Sequence, residues 1–264
     1  MQKKSAVSCV LSLCIGAARC ALGADDGEFS LGTGLNYSTG NYGTSTETKI
    51  LSIPFTARYD EGPWTLKLTV PYLRVTGPAN VIPGIGRFDT SGRRSRRQGQ
   101  ATTTESGIGD TVMAATYNAY YDSATKGGVD VTARLKLPTA DADRGLGTGS
   151  TDESFQLDLY KTTDRVTLFG DLGYTFFGHS DFVQLQNAFN YGAGASFKLD
   201  ATDSAGLSLD ARRRVTPGGP PQRELTGFWN RRIDKARTMQ AYLLKGFANG
   251  SPDWGAGVSA AYAF

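Results

Sequence analysis

The chain has 264 residues, with 28 lysines and arginines against 25 aspartates and glutamates, a formal charge of +3, a single histidine and three cysteines. One histidine excludes a multi-histidine metal centre. Mean hydropathy is −0.30, and no run of about twenty apolar residues follows the N-terminal segment, so a membrane-spanning helix is excluded as well.

That N-terminal segment reads as an export leader. Met1-Gln2-Lys3-Lys4 is a short cationic start, Ala6 to Ala18 is an apolar stretch too short to span a bilayer stably, and Cys20-Ala21-Leu22-Gly23-Ala24 offers small residues for cleavage after Gly23 or Ala24. We therefore expect a secretory signal peptide over 1–24 and one domain over 25–264, with a retained anchor as the alternative. Cys9, Cys14 and Cys20 all lie in the leader, so a mature chain would hold no disulfide and no thiolate metal site. Loss of Lys3, Lys4 and Arg19 levels basic and acidic residues at 25 each. The basic balance thus belongs to the leader, and nucleic-acid binding loses its support.

From Phe29 onward apolar residues fall at every second position, in segments of about ten residues that suit tilted membrane strands. Phe29-Leu31-Thr33-Leu35-Tyr37 comes first and Leu51-Ile53-Phe55-Ala57-Tyr59 second. A tight Asp60-Glu61-Gly62-Pro63 turn leads to Trp64-Leu66-Leu68-Val70-Tyr72. Met113 to Tyr121 and Val129 to Leu137 follow, then Phe155-Leu157-Leu159 and Val166 to Phe176. Phe189 to Leu199, Ala205 to Ala211, Leu225-Gly227-Trp229 and Met239-Ala241-Leu243 precede the closing alternation Ala256-Val258-Ala260-Tyr262-Phe264. The fold class expected is all-β: a transmembrane antiparallel up-and-down β-barrel of about twelve strands. A soluble β-sandwich is the rival that also alternates.

The connections alternate in length. Ser38 to Thr46, Arg74 to Ser106, Pro138 to Thr151, Gly178 to Gln186 and Thr216 to Pro221 are the longer ones, although Ala248 to Asp253 is short. Long outer loops and short periplasmic turns put both ends of the barrel at the periplasmic side of a Gram-negative outer membrane. Tyr59, Trp64, Tyr121, Trp229, Tyr262 and Phe264 then fall near the periplasmic rim, and Tyr37, Tyr72, Tyr174, Phe176, Phe189 and Trp254 near the outer one. Lys161, Arg213 and Lys245 continue the outward face only at strand ends, where a long cation can snorkel. The terminal Phe264 fits the C-terminal strand signal read by the barrel-assembly machinery, and outer-membrane lipid and lipopolysaccharide are the expected surroundings.

Inward positions carry the chemistry. Arg134 and Lys136 share a face with Asp130, followed by Asp158, Asp171, Lys198, Asp210, Arg212, Arg214 and Glu224. Such groups either pair across strands and hold a narrow wet interior in shape, or line a path that selects an anionic solute. Around twelve strands leave room for a slim pore unless a loop plugs it. Arg74 to Ser106 is the candidate plug. Its basic cluster Arg93, Arg94, Arg96 and Arg97 is either a solvated outer loop, a contact for lipopolysaccharide phosphates, or a constriction.

Enzyme and metal readings are thin, and no catalytic residue, metal or cofactor is expected. His179-Ser180-Asp181 invites comparison with lipid hydrolases, but three adjacent residues cannot form a triad because neighbours point apart along an extended chain. Asp141, Asp143, Asp152 and Glu153 form an acidic loop with calcium as the alternative. Gly145 to Gly149 lacks the strand-turn-helix setting of a phosphate loop.

The stretches Ser106-Gly107-Ile108-Gly109-Asp110, Lys136 to Asp152 and Ser251 to Phe264 resemble the MetA-pathway of phenol degradation family of outer-membrane proteins. The resemblance implies an outer-membrane barrel and passage of small hydrophobic or aromatic compounds; it supplies no binding residues. The function expected is passive uptake of small molecules. The alternatives are a narrow porin for acidic saccharides or other anions, a non-conducting structural barrel and, remotely, an outer-membrane lipid hydrolase.

Overall fold

Every alternating segment of the sequence forms a strand, and the strands of the long sheet all pair antiparallel, each with its neighbours in chain order. The computed structural model describes residues 27–78, 80–88 and 102–264, together with the backbone ladder of Lys4–Ser5 on Cys20–Ala21. The expected leader otherwise lies outside the described residues, as does the Arg93, Arg94, Arg96 and Arg97 cluster. The barrel strands are β1 (Glu28–Gly40), β2 (Thr48–Glu61), β3 (Trp64–Gly77) and a two-piece β4 (Thr103–Ile108 and Thr111–Asp122). They continue with β5 (Gly127–Leu137), β6 (Asp152–Thr163), β7 (Val166–Phe177) and β8 (Ala188–Lys198). Last come β9 (Asp203–Arg212), β10 (Gln222–Arg232), β11 (Arg237–Gly246) and β12 (Trp254–Ala263). β12 pairs with β11 through Ala241↔Val258 and with β1 through Leu35↔Val258, closing a barrel of twelve strands, in which the Thr103–Ile108 piece of β4 pairs on one side, with β3. Closure is what lets a sheet sit in hydrocarbon, where an unpaired edge finds no water.

The outer face is apolar and unscreened. Leu243, Leu168 and Leu209 are 68%, 60% and 60% exposed, values that only lipid makes tolerable. Aromatic contacts ring both ends: Phe29 stacks on Phe264 at 5.9 Å and Trp64 lies 4.7 Å from Tyr117 at one, while Tyr174 meets Phe189 at 4.6 Å at the other. Lys245 places its ammonium 4.4 Å from the Trp254 ring centroid, the cation–π seat of a snorkelling side chain.

Two details depart from simple alternation, each with a local cause. Between β4 and β5 the register slips, because Val129 pairs with Tyr120 while Asp130 pairs with Asn118. Sequence parity puts Tyr121 on the lipid face; the extra residue reverses the parity, and Tyr120, 59% exposed, stands there instead. The second is the gap in β4. Pro71 faces Pro54 across β2 and β3, and neither can donate to a ladder. Gly109 bridges the gap by donating to the Pro71 carbonyl at 2.8 Å, and a Cβ on it would stand 2.7 Å from Leu73 Cδ1.

Inside, rings lie flat on glycines of the neighbouring strand. Tyr160 covers Gly128, Phe169 covers Gly194, Phe228 covers Gly206 and Tyr242 covers Gly257, so a Cβ at any of these glycines would strike the ring. Each ring thus fills the space that its register partner's missing side chain leaves on the inner wall.

Candidate functional site

The outer mouth of the barrel is built from a stretch whose apolar residues have nowhere else to go. Val81–Ile82 pairs with Gly86–Arg87, and the turn between them has Pro83 followed by Gly84 at φ +75° with Ile85 N–H bonded back to Ile82 O, as a type II turn requires. Ile82, Ile85 and Phe88 are buried against Val183, Ala188 and Val215, which come from the middle of the β7–β8 loop, the start of β8 and the β9–β10 loop. Arg212 Nη2 donates to Gly84 O at 2.6 Å and Arg87 Nη1 to Gly43 O at 2.6 Å, tying the hairpin to opposite sides of the rim. The hairpin, residues 80–88, thus lies across the mouth, inside the segment singled out as a plug.

A second inward loop joins it. Lys136 Nζ sits 2.7 Å from Asp152 and 3.1 Å from Asp110 and donates to Thr148 Oγ1. Asp110 also accepts from the backbone of Ala140, and a Cβ on Gly147 would meet its carboxylate. Leu146, 2% exposed, packs with Leu73, Val75 and Ala140. Two of the stretches that carried the family resemblance, Ser106 to Asp110 and Lys136 to Asp152, therefore meet around one lysine. Replacing Lys136 by methionine leaves two largely buried carboxylates without their cation. The expected result is a loss of about 3 kcal/mol and early proteolytic cutting within 138–151, read by limited proteolysis of the folded barrel; Asp110→Asn with Asp152→Asn in the same chain should restore much of the protection. At the same rim Tyr42, in the β1–β2 loop, is 5% exposed, and burial pushes its phenol above the usual tyrosine range.

Below the mouth the candidate residues separate into groups. Asp158 and Asp171 are direct cross-strand partners, as are Asp210 and Glu224, and Asp130 stands opposite Asp158. Arg134 Nη1 donates to Gln156 at 2.7 Å, and Gln156 in turn donates to Asp158 at 2.6 Å. Lys198 is exposed at the periplasmic end of β8, and Arg214 lies past the end of β9 in the outer loop, also exposed. The sequence reading missed Arg58 and Lys67, which project inward from β2 and β3. With Ser30, Gly32, Thr56 and Ser259 they line a small pocket near the periplasmic end. Strand parity was the signal available for both.

His179 is 91% exposed and lies 3.4 Å from Asp181, while Ser180 turns away to donate to the Thr148 carbonyl. Asp141 accepts from the Arg144 backbone and Glu153 points to the lipid side. No group of three or more histidine or carboxylate side chains is arranged to hold a metal among the described residues.

Residues 22–211 match the family described as "Putative MetA-pathway of phenol degradation". The chain belongs to this family. No curated protein matches its sequence. Among solved structures it is similar to the COG4313 outer membrane channel from Pseudomonas putida F1, at a TM-score of 0.69 and 12% identity, covering 92% of this chain and 97% of that one. It is also similar to the KdgM porin, at a TM-score of 0.53 and 10% identity over 89% and 99% of the two chains. The beta domain of the Bordetella autotransporter BrkA aligns at 0.51 with 10% identity over 91% and 100%. At these identities the likeness is one of fold: the outer-membrane β-barrel.

Proposed function

We propose that this family member is an outer-membrane channel for passive entry of small molecules, reaching its site through a cleaved leader. The observation that carries the reading is a lipid-ready outer face around an interior lined by charged and hydroxyl side chains. No nucleotide, redox group or metal enters the scheme. Arg134, Lys136, Asp158, Asp171, Lys198, Asp210, Arg212, Arg214 and Glu224 are its selectivity residues, and the family's phenol connection supports small hydrophobic or aromatic compounds as solutes. The rings of Phe169, Phe228 and Tyr242 on the inner wall offer such solutes apolar surface. The arginines at 93–97 would hold lipopolysaccharide phosphates, and the β12 end would be the handle for the assembly machinery.

The test is swelling of liposomes holding the refolded mature chain, its fold checked by heat-modifiable gel mobility. Entry of phenol or benzyl alcohol faster than in empty liposomes, with a small uronate excluded, is the expected result. Preferential entry of the uronate would transfer the reading to a saccharide porin, and absence of any protein-dependent entry would refute a channel.

A further inference from the structure

The lipid-facing side of the barrel is not apolar to its outer end. Arg213, Arg223 and Lys245 continue the outward rows of β9, β10 and β11, each within one residue of the outer end of its strand. Arg223 is the register partner of Ala211, and Arg213, two residues on, extends the β8–β9 ladder by donating its N–H to Phe189 O at 2.9 Å. Lys245 is the register partner of Leu225, the outward residue next to Arg223 on β10. The three cations thus step diagonally, one per strand. Diagonal neighbours on a sheet are about 7–8 Å apart, within reach of long side chains.

Each stands beside a ring of the outer aromatic belt. Arg213 is bonded across the ladder to Phe189, the Arg223 guanidinium lies 5.7 Å from the Tyr191 ring centroid, and the Lys245 ammonium 4.4 Å from that of Trp254. Arg223 reaches Tyr191 over Ala211, the register partner of both, so its guanidinium lies along the lipid face. Its Nη1 donates to two backbone carbonyls, Gln222 O at 2.6 Å and Arg212 O at 3.2 Å. Those bonds fix the plane of the group and leave its Nε–Nη2 edge, the fork that matches two oxygens of a phosphate.

Among the described residues no carboxylate pairs with any of the three. The outer loops after β9 and β11 contain one acid between them, Asp253, and its carboxylate accepts from the Asn41 backbone in the β1–β2 loop. At the periplasmic end of the same strands the outward cations are answered: Arg231 stands 4.0 Å from Asp203 and Arg237 2.6 Å from Asp234. Cations so close together repel, and lipid beside them screens poorly. An anion from outside the chain completes the group. Below it Leu209, Leu207 and Leu243 stand exposed on the same three-strand sector.

We propose that Arg213, Arg223 and Lys245 form a binding site for a phosphate group of lipopolysaccharide, with the lipid A acyl chains lying over Leu209, Leu207 and Leu243. A phosphorylated glycolipid is the anion that the outer leaflet presents at the height of the outer aromatic belt, with its phosphates above and its chains below. The inference rests on the outer-membrane placement and orientation of the barrel, and not on the passage of solutes.

The test is native mass spectrometry of the refolded mature chain in detergent, mixed in turn with diphosphoryl lipid A, monophosphoryl lipid A and phosphatidylglycerol. The expected result is retention of diphosphoryl lipid A above the other two. It should fall about tenfold in Arg213→Gln/Arg223→Gln/Lys245→Gln and stay unchanged in Arg231→Gln/Arg237→Gln, with gel mobility confirming that each variant is folded. Equal retention of all three lipids by the parent chain overturns the site, and so does undiminished retention of lipid A by the triple variant or no retention by the parent. Phenol entry into phospholipid liposomes needs no lipid A, so its failure refutes the channel alone, and failure of lipid A retention refutes this site alone.

Discussion

Leu207→Arg is expected to lower the stability of the folded barrel by about 2–4 kcal/mol and to slow its insertion into lipid. Leu207 is 57% exposed on the outer face of β9 and pairs with Ala195 and Gly227, neither of which can shield a cation. The depth follows from the flanking aromatics. Tyr191 of the outer belt pairs with Ala211, and Trp229 of the inner belt pairs with Ala205, so Leu207 lies between the two belts. The measurement is urea unfolding in detergent or thin bilayers, followed by heat-modifiable mobility. Lys245 is the internal control: it is already a cation on the same face, but it rests against Trp254 at the rim. An unchanged midpoint for Leu207→Arg would mean that this face does not see hydrocarbon.

Ile82→Asp should open the mouth without unfolding the barrel. Ile82 is 1% exposed within the cluster of Ile85, Phe88, Val183, Ala188 and Val215, and an unpaired carboxylate cannot stay there. Deleting so buried a side chain alone costs about 2–5 kcal/mol, more than the two hydrogen bonds from Arg212 and Arg87 can hold against. The hairpin pairs only with itself and not with the wall strands, so its release leaves the twelve-strand ladder intact. Conductance should rise severalfold and trypsin should cut at Arg87, while gel mobility stays that of the parent. If conductance is unchanged while Arg87 becomes cleavable, the hairpin does not limit the path.

Legibility divided along physical lines. Strand existence was plain because a barrel wall has two unlike solvents and period two follows from that; even Leu225 to Trp229, the faintest stretch, is β10. Turns were equally readable where Gly62 or Asp200 marks them. The parity switch at Ala119 was not, because a bulge spends one ordinary residue and leaves no composition behind. The hairpin has a readable signature in Val81-Ile82-Pro83-Gly84-Ile85, apolar residues around a Pro-Gly turn. The cross-strand carboxylate pairs were visible only as a set of inward acids. Which of them stand abreast depends on every turn length and on the tilt, and those are properties of the closed sheet.

Closure itself dictates how the molecule comes into being. β1 finds its second neighbour only in β12, so the pairing of Ser30 with Ala263 closes the longest loop in the barrel ladder. A contact that distant is entropically late. Until it forms, the growing sheet carries two raw edges, and neither water nor lipid can stabilise a half-wound intermediate inside the bilayer. Assembly should therefore be all-or-none and dependent on a template for those edges, and a chain shortened by its last ten residues should accumulate outside the membrane instead of inserting as a smaller barrel.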